Sequence, residues 1–193
     1  MIAKLHNFAE QWRPDFPLER LSYDGANLNK IARIIGDGVV AGLFSADQYR
    51  VIQEGVNRIT DLMDELDTQP DSFGLIHADL AVSNLIVNGE TITPIDFAMS
   101  GYGYFMQDLG DLSSSFGPLH IRKAMLDGYD TIRRLSTSDL KYVEAFFVSG
   151  ILYFMAIHLH SGVHREWFMR RVPVICERYI EPLVRDQRFY DDI

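Results

Sequence analysis

The chain has 193 residues, enough for one domain with a sizeable core, and its 47% apolar and 12% aromatic content marks it as globular rather than disordered. A formal charge of −9 and the lack of any Lys/Arg run argue against a nucleic-acid partner and would suit a cationic small molecule. The single cysteine, Cys176, cannot form an internal disulfide and fits a reducing cytoplasm, while Met1 opens an amphipathic segment rather than a secretory leader.

In chain order, Ile2, Leu5, Phe8, Ala9 and Trp12 recur at helical spacing, and Pro14 and Pro17 stop that helix. A shorter helix is predicted near Asn27 to Ile35, ended by Gly36 and Gly38. Residues 46–66 read as a long helix with Ile52, Val56, Ile59, Met63 and Leu66 on one face. Asp67 to Gly74 reads as a loop. Asn84–Val87 and Glu90–Ile95 are short apolar strands joined by Asn88-Gly89, the strongest two-residue hairpin signal. Pro118 suits the first turn of a helix reaching Arg134, and Ser138 can cap a helix over Leu140 to Leu159. A last helix starts near Glu166, is interrupted by Pro173 and fades near Pro182. The apolar run Ala145 to Ile157 is shorter than the roughly 20 residues a bilayer helix needs, so it is read as a buried core helix and no membrane partner is expected. The fold class is therefore mainly α with a small β-hairpin (α+β), in a single domain over residues 1–193.

The chemistry concentrates between Gly74 and Phe97. Asp79 and Asn84 lie in a loop feeding the first hairpin strand, and Asp96 ends the second, so the hairpin returns Asp96 beside Asn84. Phosphoryl transfer needs a carboxylate to accept a hydroxyl proton, and oxygen ligands to hold Mg²⁺ against nucleotide phosphates. Asp79 can supply the first, Asn84 and Asp96 the second. Taken singly, the same residues are ordinary turn and capping residues. A metal hydrolase using His77, Asp79 and Asp96 is a further alternative, but it would want more ligands nearby than Glu90.

The stretch IHADLAVSN at 76–84, followed by IDF at 95–97, resembles the Brenner motif of the aminoglycoside phosphotransferase and choline kinase group. These are small-molecule kinases of protein-kinase-like fold. AKLH at 3–6 resembles the start of that group's C-terminal lobe. GYGYFMQDLGDL at 101–112 resembles its glycine-aromatic segment and Asp-Leu-Ala helix start, as in the homoserine-kinase-like and stress-response branches. The resemblance spans residues 1 to about 115 and implies an ATP-dependent kinase of a small-molecule hydroxyl, with Mg²⁺. It makes Asp79 the catalytic base, Asn84 and Asp96 the metal ligands, and His77 a brace of the catalytic loop. Asp108 would support that loop from the next helix, and Ile86 and Ile95 would floor the adenine. Two departures are Ala98 for the glycine of Asp-Phe-Gly, and Gly110 for the alanine of Asp-Leu-Ala, a change expected to have little consequence for chemistry.

Such a kinase also has an N-terminal lobe with a phosphate cover and a strand lysine. Before Asp79 the lysines are Lys4 and Lys30, both in predicted helices. The chain is thus expected to be a C-terminal lobe without its nucleotide lobe, inactive or nearly so alone, and prone to self-association through the face so exposed. The alternative is a non-catalytic binding or regulatory module derived from such a kinase. Among weaker signals, His158, His160 and His164 are read as helix-end or interface residues rather than metal ligands. Tyr102, Tyr104 and Phe105 fit either substrate stacking or a buried cluster. Asp191-Asp192 reads as a solvated tail.

Overall fold

The computed structural model describes residues 1–116 and 118–190; the Asp191-Asp192 tail lies outside them. Its centre is helix α6 (Leu140–His158), whose apolar residues surround the axis. Such a helix must be covered on all sides. It is long and apolar enough to cross a membrane by composition alone, yet most of that stretch is buried against its neighbours. Around it pack α2 (Gly25–Val40), α3 (Ala46–Asp67) and α4 (Phe105–Ser115). In α3, Ile52, Val56, Ile59, Met63 and Leu66 are buried, as their spacing predicts. Ser45 and Gln48 close its first turn reciprocally, Ser45 Oγ accepting from the Gln48 N–H and Gln48 Oε1 from the Ser45 N–H.

Helix α2 runs through Gly36 and Gly38 instead of ending there. Gly38 is where the Phe44 ring lies against the helix, leaving no room for a Cβ. The stop comes at Gly42, in the left-handed region at φ +65°, with Leu43 N–H donating to the Gly38 carbonyl and Gly42 N–H to that of Val39. The N-terminal helix α1 (Ile2–Gln11) buries Ile2, Ala3, His6 and Ala9, leaving Phe8 exposed. Its inner face is rotated from the apolar spacing because a buried histidine occupies it.

Four short strands follow: β1 (Phe73–Ile76), β2 (Leu85–Asn88), β3 (Thr91–Pro94) and β4 (Gly101–Tyr104). The hairpin forms as expected, β2 against β3 with Gly89 at φ +59°. The antiparallel pairing of β1 with β4, from Phe73↔Tyr104 to Ile76↔Gly101, replaces what the sequence reads as loop and glycine-rich segment. The glycines serve close approach: a Cβ at Gly101 would strike the Leu21 carbonyl, and one at Gly74 the Phe105 ring. Tyr104 and Phe105 are buried, settling them as core aromatics.

Helix α5 spans Leu119–Asp130, with Pro118 as the residue before it. Ser136, rather than Ser138, caps the turn leading into α6, sharing a reciprocal pair of bonds with Asp139. Helix α7 (Arg165–Ile175) continues through Pro173, then widens into a π turn over Cys176–Ile180 before the short α8 (Glu181–Val184). Proline lacks the N–H a helix interior needs, and such departures from regular winding are where kinks arise.

Candidate active site

The β1–β4 pairing sets the site. Strand β1 delivers the chain to His77, and β4 runs straight into α4, so the loop after Ile76 lies against the first turn of α4. There the fully buried Asp108 carboxylate accepts from the backbone N–H of His77 (3.0 Å) and of Ala78 (2.9 Å). Ala78 is left-handed, at φ +61°, which costs a non-glycine residue about 1–2 kcal/mol. The two charge-assisted bonds from Asp108 offset that strain and aim the next residue, Asp79, outward.

His6 completes the support, and the sequence reading missed it. Its Nε2 lies 2.9 Å from Asp108 Oδ2 and its Nδ1 3.0 Å from the Tyr129 hydroxyl, all buried. A neutral His6 satisfies both contacts, donating to the carboxylate and accepting from the phenol. Burial pushes the Tyr129 hydroxyl up to about 12, so it keeps its proton. The signal was present in AKLH, but a histidine on an apolar helix face does not name its partner. His77 Nε2–H donates to the Ile95 carbonyl at 3.0 Å, and its ring lies tilted against Phe97 at 4.5 Å between centroids. That bond ties the loop to the end of β3, next to Asp96.

Asp79 and Asn84 are joined directly. Asn84 Nδ2 donates to the Asp79 carboxylate and to its backbone carbonyl, both at 2.9 Å, while the Asn84 amide oxygen has no hydrogen-bond partner among the described residues. The hairpin register brings Ile95 N–H onto the Asn84 carbonyl at 2.9 Å, so Asp96 follows alongside. Asp96 is itself left-handed, at φ +63°, and among the described residues its carboxylate accepts only a long 3.4 Å bond from Ala98 N–H. An amide oxygen and a lightly engaged carboxylate are the hard oxygen donors that suit Mg²⁺, which keeps its remaining positions for water and phosphate. Among the described residues no group of three His, Cys, Asp or Glu is placed to hold a metal. The rings of His158 and His164 lie tilted against each other, 4.4 Å between centroids, beside Phe154 and Trp167. Ile86 and Ile95 lie exposed on the hairpin.

Burial, the largest cause, pushes the Asp79 carboxyl above its ordinary value. The nearby Asp96 adds to this, while the Asn84 bond and His77 oppose it. On its other side Asp79 borders a cavity of ≈ 410 Å³ between the 78–81 loop, α4 and α6. Sequence reasoning did not find this cavity, because its walls come from five separate stretches of chain. Tyr23 lies on its rim and donates from its hydroxyl to the Met99 carbonyl (2.6 Å), steadying the turn after Asp96. Burial, followed by the Asp111, Asp79 and Asp108 charges, pushes the Tyr23 hydroxyl up to about 12.

Residues 1–137 match the phosphotransferase enzyme family. This chain belongs to that family. The chain is 28% identical over 169 residues to the homoserine kinase of Neisseria meningitidis serogroup B (strain ATCC BAA-335 / MC58), covering 82% of its own length. It spans about half of that curated relative, 51% of its length. Among solved structures it resembles a microcompartment-associated aminopropanol kinase (TM-score 0.79, 25% identity), covering 96% of this chain and 60% of the other. It also shares its fold with amicoumacin kinase hAmiN, solved with AMP-PNP, Ca²⁺ and Ami (TM-score 0.63, 19% identity, 96% and 56% covered). The chain thus has the α+β, protein-kinase-like fold that the motif at 76–97 implied.

Proposed function

We propose that this phosphotransferase carries the acceptor and metal side of an ATP-dependent, Mg²⁺-dependent small-molecule kinase, with residues 1–193 acting as one domain. The observation that carries the reading is the position of Asp79. It is bonded to Asn84 beside Asp96 on one side and borders the cavity on the other. In this reading an acceptor hydroxyl sits in the cavity and passes its proton to Asp79 as its oxygen bonds the γ-phosphorus and the bond to the departing ADP oxygen breaks. Asn84 and Asp96 would hold Mg²⁺, which neutralises phosphate charge when bound. His77, Asp108 and His6 keep Asp79 aimed. Ile86 and Ile95 offer an apolar floor for the adenine. The related kinases act on homoserine and on aminopropanol, small alcohols bearing an amine, which fits an acceptor of that size.

The lysines ahead of Asp79 are Lys4 and Lys30, both exposed on helices, so neither is placed on a strand beside the hairpin. The chain by itself is accordingly expected to turn over little or nothing, and its exposed hairpin face to drive self-association. A cytoplasmic setting is part of the same reading and rests on the buried, unpaired Cys176.

The test is phosphoryl transfer from ATP to small alcohols, measured for this chain and for a longer protein that adds a phosphate-covering lobe. Transfer should appear in the longer protein and fall about 10²–10⁴-fold with Asp79→Asn. Undiminished transfer in that variant, or fast transfer by the chain alone, would contradict the reading. A preserved partner affinity with no transfer in any form would favour the binding-module alternative.

A further inference from the structure

Gln107 and Asp111 of α4 and Tyr153 of α6 line the cavity, each with a buried polar atom unpaired among the described residues. Asp108, on the same helix, is committed to the 77–79 loop instead, and its further support comes from the end of α5. Three buried side chains in series run from α5 to that loop. The Tyr129 hydroxyl lies 3.0 Å from His6 Nδ1, His6 Nε2 lies 2.9 Å from Asp108 Oδ2, and Asp108 takes the N–H groups of His77 and Ala78. Hydrogen bonds in such a low-dielectric interior are strong, and costly to leave half-made.

A neutral imidazole has one N–H and one bare nitrogen, and the bond made at one fixes the role of the other. Burial, the largest cause, pushes the Tyr129 hydroxyl up to about 12, so the phenol holds a proton that it can give only to a bare nitrogen. With Nδ1 bare, the imidazole proton stands on Nε2 and points at Asp108. This assignment follows from the donors at hand, since the opposite tautomer would set a lone pair against the carboxylate. The buried carboxylate then has three donors, which is what a charge removed from water needs. Tyr129 is itself held in place. Its ring stands edge-on to His6, 5.7 Å between centroids. Arg133, just beyond α5, donates to Asn7 Oδ1 (2.9 Å) and Glu10 Oε2 (2.6 Å) of α1, and its guanidinium covers the Phe105 ring at 4.8 Å.

We infer that Tyr129 is a positioning residue: through His6 and Asp108 it fixes the 77–79 loop, and so the aim of Asp79, from a helix outside the motif at 76–97. Its effect on turnover rests on the reading of Asp79 as the proton acceptor, whereas its effect on the loop does not. Ala78 gives the loop a reason to move. It is left-handed, at φ +61°, and stays so because Asp108 receives its N–H and that of His77. A weaker hold frees it to relax. The competing role for Tyr129 is packing alone, which its ring would serve without a hydroxyl. The hydroxyl is therefore the group to remove.

Tyr129→Phe keeps the ring and removes only that hydroxyl. In the chain itself, amide hydrogen exchange at His77 and Ala78 should accelerate about tenfold, the worth of one buried hydrogen bond, while the amides of α3 exchange as in the parent. Nitrogen NMR of the His6 ring should show its proton on Nε2 alone in the parent and no longer confined there in the variant. In the longer protein kcat should fall about tenfold, with KM for ATP and for the alcohol unchanged, because an ill-aimed base loses rate rather than binding. His6→Gln keeps an N–H donor for Asp108 and has no tautomers, so in that background Tyr129→Phe should change little. A His6 proton on Nδ1 in the parent, unchanged exchange at His77 and Ala78, or an acceleration that reaches α3 equally would overturn the inference. Faster exchange at the loop alone, with no transfer in any form, would keep Tyr129 as a positioning residue and remove the kinase reading. Transfer and loop exchange both unaffected by Tyr129→Phe would do the reverse.

Discussion

Asp108 is 31 residues from His77 in the chain, yet its carboxylate takes the N–H groups of both His77 and Ala78. It also meets His6, 102 residues away, so one buried carboxyl group ties the first helix to the 77–79 loop. The motif letters made Asp79, Asn84 and Asp96 legible, because a short loop and a two-residue turn bring them together locally. His6, Gln107, Asp111 and Tyr153 were not legible, because each gains its meaning from what surrounds it. Asp111 gives a test at this scale. Its folded carboxyl titrates above its unfolded value of 3.8, so below that value both states hold the proton and burial costs nothing extra. As pH rises the unfolded chain releases its proton first, and folded stability falls until the folded group ionises as well. Asp111→Asn cannot ionise, so it should be more stable than the parent near pH 7, with the gap closing toward pH 4. Thermal unfolding of both proteins across that range checks the sign. At this size each 1 kcal/mol moves the midpoint by about 2–4 °C.

At the scale of elements, the packing of α4 on α6 decides the site, since α4 carries Gln107, Asp108 and Asp111. Gly110 stands at their closest approach. A Cβ there would lie 2.5 Å from the Phe146 carbonyl carbon and 2.5 Å from the Phe147 backbone nitrogen. The glycine that departs from Asp-Leu-Ala is here a packing requirement, because backbone cannot move aside as a side chain can. Gly110→Ala should therefore destabilise the chain by about 1–3 kcal/mol, the usual cost of overpacking, despite the better helix propensity of alanine. Denaturant unfolding would measure it, and an unchanged midpoint would mean that the two helices separate freely. The sequence predicted α3 and the β2–β3 hairpin closely, since periodicity and Asn-Gly are local signals. It mistook the end of α2 and missed β1 and β4. Those depend on the Phe44 ring beside Gly38, and on a pairing between residues about 30 apart.

Over the whole molecule, apolar residues gather at the outside of the hairpin. Val87 is 68% exposed and Ile92, its partner across the ribbon, 45%, with Ile86, Ile95 and Phe97 also exposed, as is Phe8 on α1. A short ribbon bearing such side chains gains free energy by covering them. The chain alone should therefore show an apparent mass that rises with concentration in sedimentation velocity, and Val87→Lys with Ile92→Lys should reduce that rise. A concentration-independent monomer in the parent would show that this face needs no cover. What the sequence by itself determined is the chemistry on offer: Asp79, Asn84 and Asp96 at spacings that a loop and a tight turn convert into proximity, with helices set by apolar period. The tertiary structure alone decided that Asp108 and His6 hold the loop, and that Gln107, Asp111 and Tyr153 line one cavity, each with a buried polar atom unpaired among the described residues. Burial and the lack of a partner belong to the arrangement of distant segments, and no single stretch of chain encodes them.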